Sequence, residues 1–534
     1  MGLLLLLVLV VLLALPVLTV LGSWLTLDAD AWAQWTHLAD TVLPGYAAES
    51  AWLALGVAVG SACVGGGAAA LVSLFEFRGR RLLDFALLLP MAMPAYVAAY
   101  AYTDALQFSG PLQTGLRDAL GLQGRLWGEV RSLPGAVLVF VLCLYPYVYL
   151  LTRTALAERA ATLLEAAQLL GASLARRVWV VALPMARPAL AAGVLLVLME
   201  TLADYGVGSY FGLNTMTTGV YKAWLVNGDR QAAAQIASLL LAAVLLAMAL
   251  ERHAQSRMRF ASARQSAAGA APRVPLRGWR AGLALALCSL PVVLGFVLPL
   301  LWLAWLAWRE WQASGLDWGP RFWAWTGASL KLAGGAALIT VTLALALAAL
   351  QRFEQHGLRA WMARVATRLL GLGYAVPGAV IAVGLLLPMG WLQAVWPGAT
   401  LAFTGTVLGL MVAYTVRFGG VALQSVEAGY SRIPLTLDDS ARLMGASRGR
   451  LVARLHLPLL RRTSLAAALL VFVDVMKELP ATLLLRPFNH DTLAVMAYQL
   501  ARDERLSEAA LPSVAIAVAG LLPVGLLWRA MRLR

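Results

Sequence analysis

The feature that most constrains this chain is the recurrence of long apolar runs. Twelve of them, at about 2–22, 50–75, 82–103, 134–152, 188–205, 232–250, 281–308, 328–350, 366–388, 398–416, 464–485 and 510–528, approach or exceed the roughly 18 residues that cross a bilayer as a helix. In lipid a backbone must satisfy its own hydrogen bonds, and helices do so within one segment. With 61% hydrophobic and only 13% charged residues over 534 positions, lipid is the main solvent of this chain. The expected fold is therefore an all-α polytopic membrane protein of about twelve transmembrane helices. The first run has no basic segment ahead of it and is long for the apolar part of a secretion signal, so it reads as a span.

Charge sets the orientation. The formal net charge is +15. If both termini are cytoplasmic, the inside segments are 76–82, 153–187, 251–280, 351–368, 417–462 and the C-terminal end, and they hold 30 of the 42 basic residues. The outside segment 23–49 holds Asp28, Asp30, Asp40 and Glu49 and no Lys or Arg. This is the asymmetry of the positive-inside rule. The arginines are spread over separate loops, so no nucleic-acid partner is needed to explain them. Cys63, Cys143 and Cys288 lie far apart in apolar runs and read as small buried hydrophobes. The five histidines show no metal-ligand spacing. The tyrosine clusters at Tyr96, Tyr100 and Tyr102 and at Tyr145, Tyr147 and Tyr149 read as aromatic belts at the membrane surface.

The chain repeats itself. At an offset of 274 residues, ten of the 26 positions in 165–190 are identical to those in 439–464. The matches include Ala167/Ala441, Gly171/Gly445, Ala172/Ala446, Ser173/Ser447, Arg176/Arg450, Pro184/Pro458 and Arg187/Arg461. Shared hydrophobicity alone does not produce a set of small residues, glycine, proline and arginine. Two parallel six-helix repeats, 1–250 and 281–534, joined by a basic Ala/Ser-rich linker at 251–280, account for it. Parallel repeats place a path between the halves. Within each copy, an amphipathic segment leads to a glycine able to end a helix. A second amphipathic piece then runs to a proline able to start the next membrane helix. The product is a short helix held at the same place in each half, as expected where two equivalent surfaces are to be touched.

The pattern E-A-A, three residues, G, then about a dozen residues to L-P resembles the loop that ABC importer permeases share. Glu165, Ala166, Ala167, Gly171, Leu183 and Pro184 match it in the first half. The second copy departs at Asp439 and Ser440 and keeps Ala441, Gly445, Leu457 and Pro458. The resemblance implies coupling helices that dock on an ATPase. The chain carries no phosphate-binding G-K-[ST], since none of Lys222, Lys331 and Lys477 follows a glycine. ATP and Mg thus belong to a partner, implied to be a homodimeric cytoplasmic ATPase, and this chain is a translocation subunit that binds no cofactor and is not itself an enzyme.

Charged residues recur inside the membrane. At the same offset Glu200 aligns with Asp474 and Asp204 with Glu478, each half carrying two carboxylates at i and i+4 on one predicted helix face. An Asp at the bilayer centre costs on the order of 2.5–3.5 kcal/mol, so these groups are expected to face the interface between the halves or water. The helix pattern then breaks, at Gly206 in one half and Pro480 in the other. One reading is a translocation path in which Glu200, Asp204, Asp474 and Glu478, with Tyr205 and Lys477, pass a hard cation such as Fe(III), held transiently by carboxylate oxygens. The other is structural, with Lys477 paired to Asp474 and Glu478 to Arg486. The segments "METLADYG", "YFG", "TTGVY" and "VDVMKELPATLLLRPFNHDTLAVMAYQLARDERLSEAALP" resemble fused permeases of ferric iron importers over the whole chain. That resemblance implies a bacterial inner-membrane location and a periplasmic ferric-binding protein. Thiamine and aminoethylphosphonate permeases share the fold. An ion-coupled secondary transporter would have no use for two matched docking helices.

Overall fold

A computed structural model of the chain describes residues 2–26, 29–159, 166–173, 176–256, 273–314, 319–354, 356–396, 398, 403 and 406–532. The first half contains α1 (Leu3–Gly22), α2 (Ala29–Thr41), α3 (Leu43–Leu74), α4 (Arg80–Ala86), α5 (Ala95–Leu106), α6 (Pro111–Leu120), α7 (Leu133–Arg159), α8 (Leu183–Ala203), α9 (Gly206–Tyr210), α10 (Met216–Tyr221) and α11 (Arg230–Ser256). The second contains α12 (Trp279–Val292), α13 (Leu298–Ser314), α14 (Gly319–Phe353), α15 (Leu358–Leu372), α16 (Gly378–Val395), α17 (Leu408–Tyr430), α18 (Leu435–Leu443), α19 (Arg448–Leu451), α20 (Leu457–Met476), α21 (Pro480–Leu485), α22 (Leu493–Arg502) and α23 (Leu506–Arg532). Regular structure enters the linker from both sides. α11 runs into it, and β2 (Val274–Pro275) pairs in parallel with β1 (Phe75–Glu76).

Among the described residues, eight helices are long and apolar enough to cross a membrane, or nine if a pair bent by 90° at 80–120 is one span. The other apolar runs are interrupted, for identifiable reasons. In the run at 82–103, a 3-10 turn, Leu89–Ala92, that contains Pro90 and is followed by Pro94 separates α4 from α5. In the run at 366–388, a 3-10 turn at Gly373–Ala375 and Pro377 separate α15 from α16. α17 begins at Leu408 and continues through Arg417, so the cytoplasmic segment expected from 417 starts later than the charge pattern implies. α20 stops at Met476, and Pro480 opens α21.

The halves exchange their first helices. α1 packs against α15 and α16 of the second half. Thr19 Oγ1 donates to the Gly384 carbonyl at 2.5 Å. A Cβ on Gly384 would lie 2.1 Å from the Pro16 carbonyl oxygen, so the two backbones meet there. Reciprocally, α12 packs against α3 and α4, and α13 against α5. Trp302 Nε1 donates to Asp104 Oδ2 at 2.9 Å, and the Tyr102 hydroxyl donates to the Leu294 carbonyl. The tyrosines read as belts are interior instead. Tyr96, Tyr100, Tyr145 and Tyr149 are buried, because their helices line the space between the halves rather than the lipid surface. Cys143 and Cys288 are buried as expected, whereas Cys63 is exposed.

Candidate coupling loops and translocation cavity

The two repeated loops have the same local fold, and the identical residues explain it. In the first, the Gly171 amide donates to the Gln168 carbonyl at 3.0 Å and the Ala172 amide to the Ala167 carbonyl at 2.9 Å. In the second, Gly445 donates to Arg442 at 2.9 Å and Ala446 to Ala441 at 3.0 Å. These are paired Schellman closures, which need a left-handed residue, and Gly171 and Gly445 supply it with φ +76 and +82. The next helix starts at once. Ser173 Oγ accepts from the Arg176 amide and Ser447 Oγ from the Arg450 amide, each at 3.4 Å. Pro184 and Pro458 do not begin a new helix. Each sits near the start of α8 or α20, just behind a π-wound segment, Arg177–Ala182 or Val452–His456, and the winding continues unbroken through it. The wider turn absorbs the missing proline donor. Ala166, Ala167, Gly171, Ala172, Ser173 and Arg176 thus share one loop geometry with Ser440 through Arg450. Glu165 lies outside the described residues. Asp439 is exposed and 3.8 Å from Arg442.

The second loop has an anchor that sequence reasoning missed. Asp438, one residue before the motif, is buried, and Arg352 at the end of α14 reaches it through Nε at 2.7 Å and Nη2 at 3.2 Å. His456 Nε2 lies 3.0 Å from the same carboxylate, with its ring stacked on Phe353. Burial raises the Asp438 carboxyl, and the hydrogen bonds and charges of Arg352 and His456 outweigh it, leaving it below the usual carboxylate value. The positions opposite Asp438 and His456 in the first half are Leu164 and Ala182, so this cluster has no sequence counterpart there.

The intramembrane carboxylates meet in one cavity of about 110 Å³ between the halves. Glu200, Asp204, Asp474, Lys477 and Glu478 all line it; Tyr205 does not, and stacks on Tyr221 at 3.8 Å instead. Because α8 ends at Ala203 and α20 at Met476, Asp204 and Glu478 lie past the helix ends, not on a shared face with Glu200 and Asp474. There they cap the next helices. Asp204 Oδ1 accepts from the Val207 amide at 2.8 Å, and Glu478 accepts from the amides of Ala481 at 2.8 Å and Thr482 at 3.0 Å. Capping after a broken span satisfies amides that lipid could not. Glu200 accepts from the Tyr374 hydroxyl of the other half at 2.6 Å. Asp474 pairs with Lys477 at 2.9 Å, as the structural reading expected. Glu478 pairs with Arg417 at 3.5 Å, while Arg486 pairs with Asp491. Arg417, Tyr374, Tyr147 and Tyr96 also line the cavity. The signal for Arg417 was the apolar pattern that continues past it, "VRFGGVALQSV". Among the described residues, no three His, Cys, Asp or Glu side chains converge as a metal site.

A family model described as binding-protein-dependent transport system inner membrane component matches residues 62–260 and again 346–532, more than half of the chain. This chain belongs to that family. The two matches fall one in each half and take in both repeated loops. The permease is 23% identical to the Fe(3+)-transport system permease protein FbpB 2 of Haemophilus influenzae, over 88% of this chain and 87% of the relative. It is 26% identical to the molybdenum transport system permease protein ModB of Escherichia coli, over 32% of this chain and 76% of the relative. Other partial matches extend to permeases named for 2-aminoethylphosphonate and sulfate transport. The permease is thus a multi-pass membrane protein of an importer family whose relatives are translocation subunits.

Proposed function

We propose that the permease forms the path for ferric iron in an ABC importer. In this reading it receives iron from a periplasmic ferric-binding protein and is driven by a homodimeric cytoplasmic ATPase carrying ATP and Mg. It spans the membrane as two six-helix repeats, 1–250 and 281–534, with the 251–280 linker and both termini in the cytoplasm. The observation that carries the ATP-driven reading is the pair of Schellman-closed loops, alike in their closing and capping bonds in the two halves. They are two equivalent docking surfaces, one for each ATPase subunit. ATP-driven closure of the ATPase would draw the loops together and rock the halves about the cavity.

The iron assignment draws on the nearly full-length likeness to a relative named for Fe(3+) transport and on a cavity with four carboxylates against two cations. Each carboxylate already has a partner, so iron would pass by brief exchange with Glu200, Asp204, Asp474 and Glu478 rather than rest in a fixed ligand set. A second reading has one observation in its favour. Arg417 presents a buried Nε without a hydrogen-bond partner in the cavity wall, and its Nη1 holds Glu478 only at 3.5 Å, which suits an oxyanion, and several relatives are named for such solutes. Radiolabelled ferric iron uptake into iron-starved cells tests the choice. Uptake that requires this chain and collapses when the ATPase's catalytic glutamate is removed supports the iron importer. An assembled complex without iron uptake, but with uptake of a phosphonate or another oxyanion, supports the second reading.

A further inference from the structure

On the side of the membrane opposite the coupling loops, a second cavity of about 250 Å³ lies among Thr103, Leu106 and Arg131. It is separated from the carboxylate cavity by tyrosines. Helix α5 touches both spaces with one face: Tyr96 lines the inner cavity, Thr103 lines the outer one, and Tyr100 lies between them. Seven residues of helix put the two cavities about 10 Å apart along α5. The gap is filled from both halves. Tyr100 meets Tyr210 edge-on at 4.8 Å. Tyr205 stacks on Tyr221 and meets Tyr498 of α22 at 5.7 Å, and Tyr498 shares a 2.7 Å hydrogen bond with Ser209.

What holds α22 in place is unusual. The helix ends in a Schellman closure, with the Glu504 amide donating to Ala501 at 3.1 Å and the Arg505 amide to Leu500 at 2.9 Å. The left-handed position that Gly171 and Gly445 fill in the coupling loops is filled here by Glu504, at φ 60. A side chain there strains the backbone for no local gain. The gain is across the halves. Arg131, just ahead of α7, holds the Glu504 carboxylate with both terminal nitrogens, at 2.7 and 3.0 Å. The same guanidinium lies 4.6 Å over the Tyr210 ring and donates to its hydroxyl at 3.1 Å. A glutamate kept in a glycine's conformation, and gripped by the other half, breaks a local rule where a function would require it.

The geometry points to Arg131 and Glu504 as the latch of the outer gate, and to the tyrosines beneath them as its plug. With the latch closed, α22 holds Tyr498 on Tyr205 and Arg131 holds Tyr210 on Tyr100, sealing the carboxylate cavity from the far side. Opening releases one carboxylate and one ring together. The pair is partly exposed, with side chains 32% and 59% accessible, so it is weak enough to break in every transport cycle. The assignment rests on the transport reading above, but it is tested without ATP or a binding protein.

Cys143 lines the carboxylate cavity and serves as the reporter. The full chain, with Cys63 and Cys288 replaced by Ala, is placed in membrane vesicles of both orientations. Its Cys143 is then labelled with a small charged methanethiosulfonate that does not cross the bilayer. Glu504→Gly removes the carboxylate and relieves the backbone, so its thermal stability is expected to match or exceed that of the parent. Arg131→Gln removes the other partner. Both variants are expected to label roughly fivefold faster from the side opposite the coupling loops, and at the parent rate from the loop side. Labelling of either variant at the parent rate from the far side, or an equal rise from both sides, overturns the latch. A failure of ATP-driven uptake would overturn the transport reading and leave this labelling result readable.

Discussion

Gly171 and Gly445 offer the cleanest perturbation of the repeated loops and of the coupling proposed for them. Each has a positive φ, and a Cβ built on either meets no heavy atom within 4 Å. Any penalty for a side chain therefore comes from the backbone conformation, not from a clash. An L-residue in the left-handed region costs about 1–2 kcal/mol, Asn adopts it more readily than Ala, and a β-branched residue does so least readily. At about 1.4 kcal/mol per factor of ten, Gly445→Ala should raise the population of a misfolded loop roughly 5- to 30-fold. Gly445→Asn should do so less and Gly445→Val more. Changes at Gly171 should add to these, the two sites lying in different halves with no neighbour at either glycine's Cβ position. The assay is substrate transported per ATP hydrolysed by the permease–ATPase complex in proteoliposomes, with complex assembly checked by gel filtration. The expected order of uncoupling is Asn, then Ala, then Val. The Asn–Ala comparison decides the matter, because Asn is the larger side chain. Loss that follows side-chain volume, with Asn worse than Ala, would refute the backbone argument and point to direct contact with the partner at that position.

Other outcomes follow from the same geometry. Asp204→Asn keeps an oxygen to accept from the Val207 amide and removes only the charge. It should leave thermal stability within about 1 kcal/mol while lowering uptake, and normal uptake would return Asp204 to a purely structural role. Glu478→Gln removes the negative charge that offsets buried Arg417, whose side chain is 12% exposed, so it should destabilise by about 3–5 kcal/mol in a thermal melt. Asp438→Asn should cost a similar amount, measured by hydrogen exchange in α18. Because the folded Asp438 carboxyl is held below its usual value, its contribution is complete above the unfolded value of about 3.9. It is lost only as pH falls through the lower, folded value, so acidification from pH 8 to 5 should not erode it. Gly384→Ala should cost at least about 1–3 kcal/mol and loosen α1, read as faster proteolysis near residue 22, because the new methyl would meet the Pro16 backbone.

The parts legible in the sequence were those decided locally. α3, α7, α11, α14 and α23 announced themselves because helices that cross a membrane need long runs with few charges. The shared fold of the two repeated loops was legible because Schellman closures and serine caps demand particular residues at particular positions. The same test failed where helices face the cavity. Hydropathy cannot distinguish a charge turned to lipid from one turned to a partner, so Arg417 was cut off the end of its helix. The tyrosine clusters were assigned to the membrane surface because aromatic composition carries no depth. The Asp438 anchor joins residues 352, 438 and 456, and nothing in a local pattern marks such a contact. The repeat offset did bring Asp204 and Glu478 into register, but their work as caps depended on where each helix stops.

The exchange of first helices redraws the moving parts. The linker at 251–280 is where the sequence divides, yet the mechanical division lies elsewhere. α1 is fastened to α15 and α16, with no room at Gly384 for even a methyl group between backbones, while α12 is fastened to α3 and α4 of the opposite half and α13 bridges α5 to α23. Each rigid body is thus a composite, its outermost helix borrowed from the other end of the chain. Two such bodies can pivot against each other, but neither can leave without tearing out its neighbour's helix. Cutting the chain in the linker should therefore yield two polypeptides that still travel, purify and open as one object.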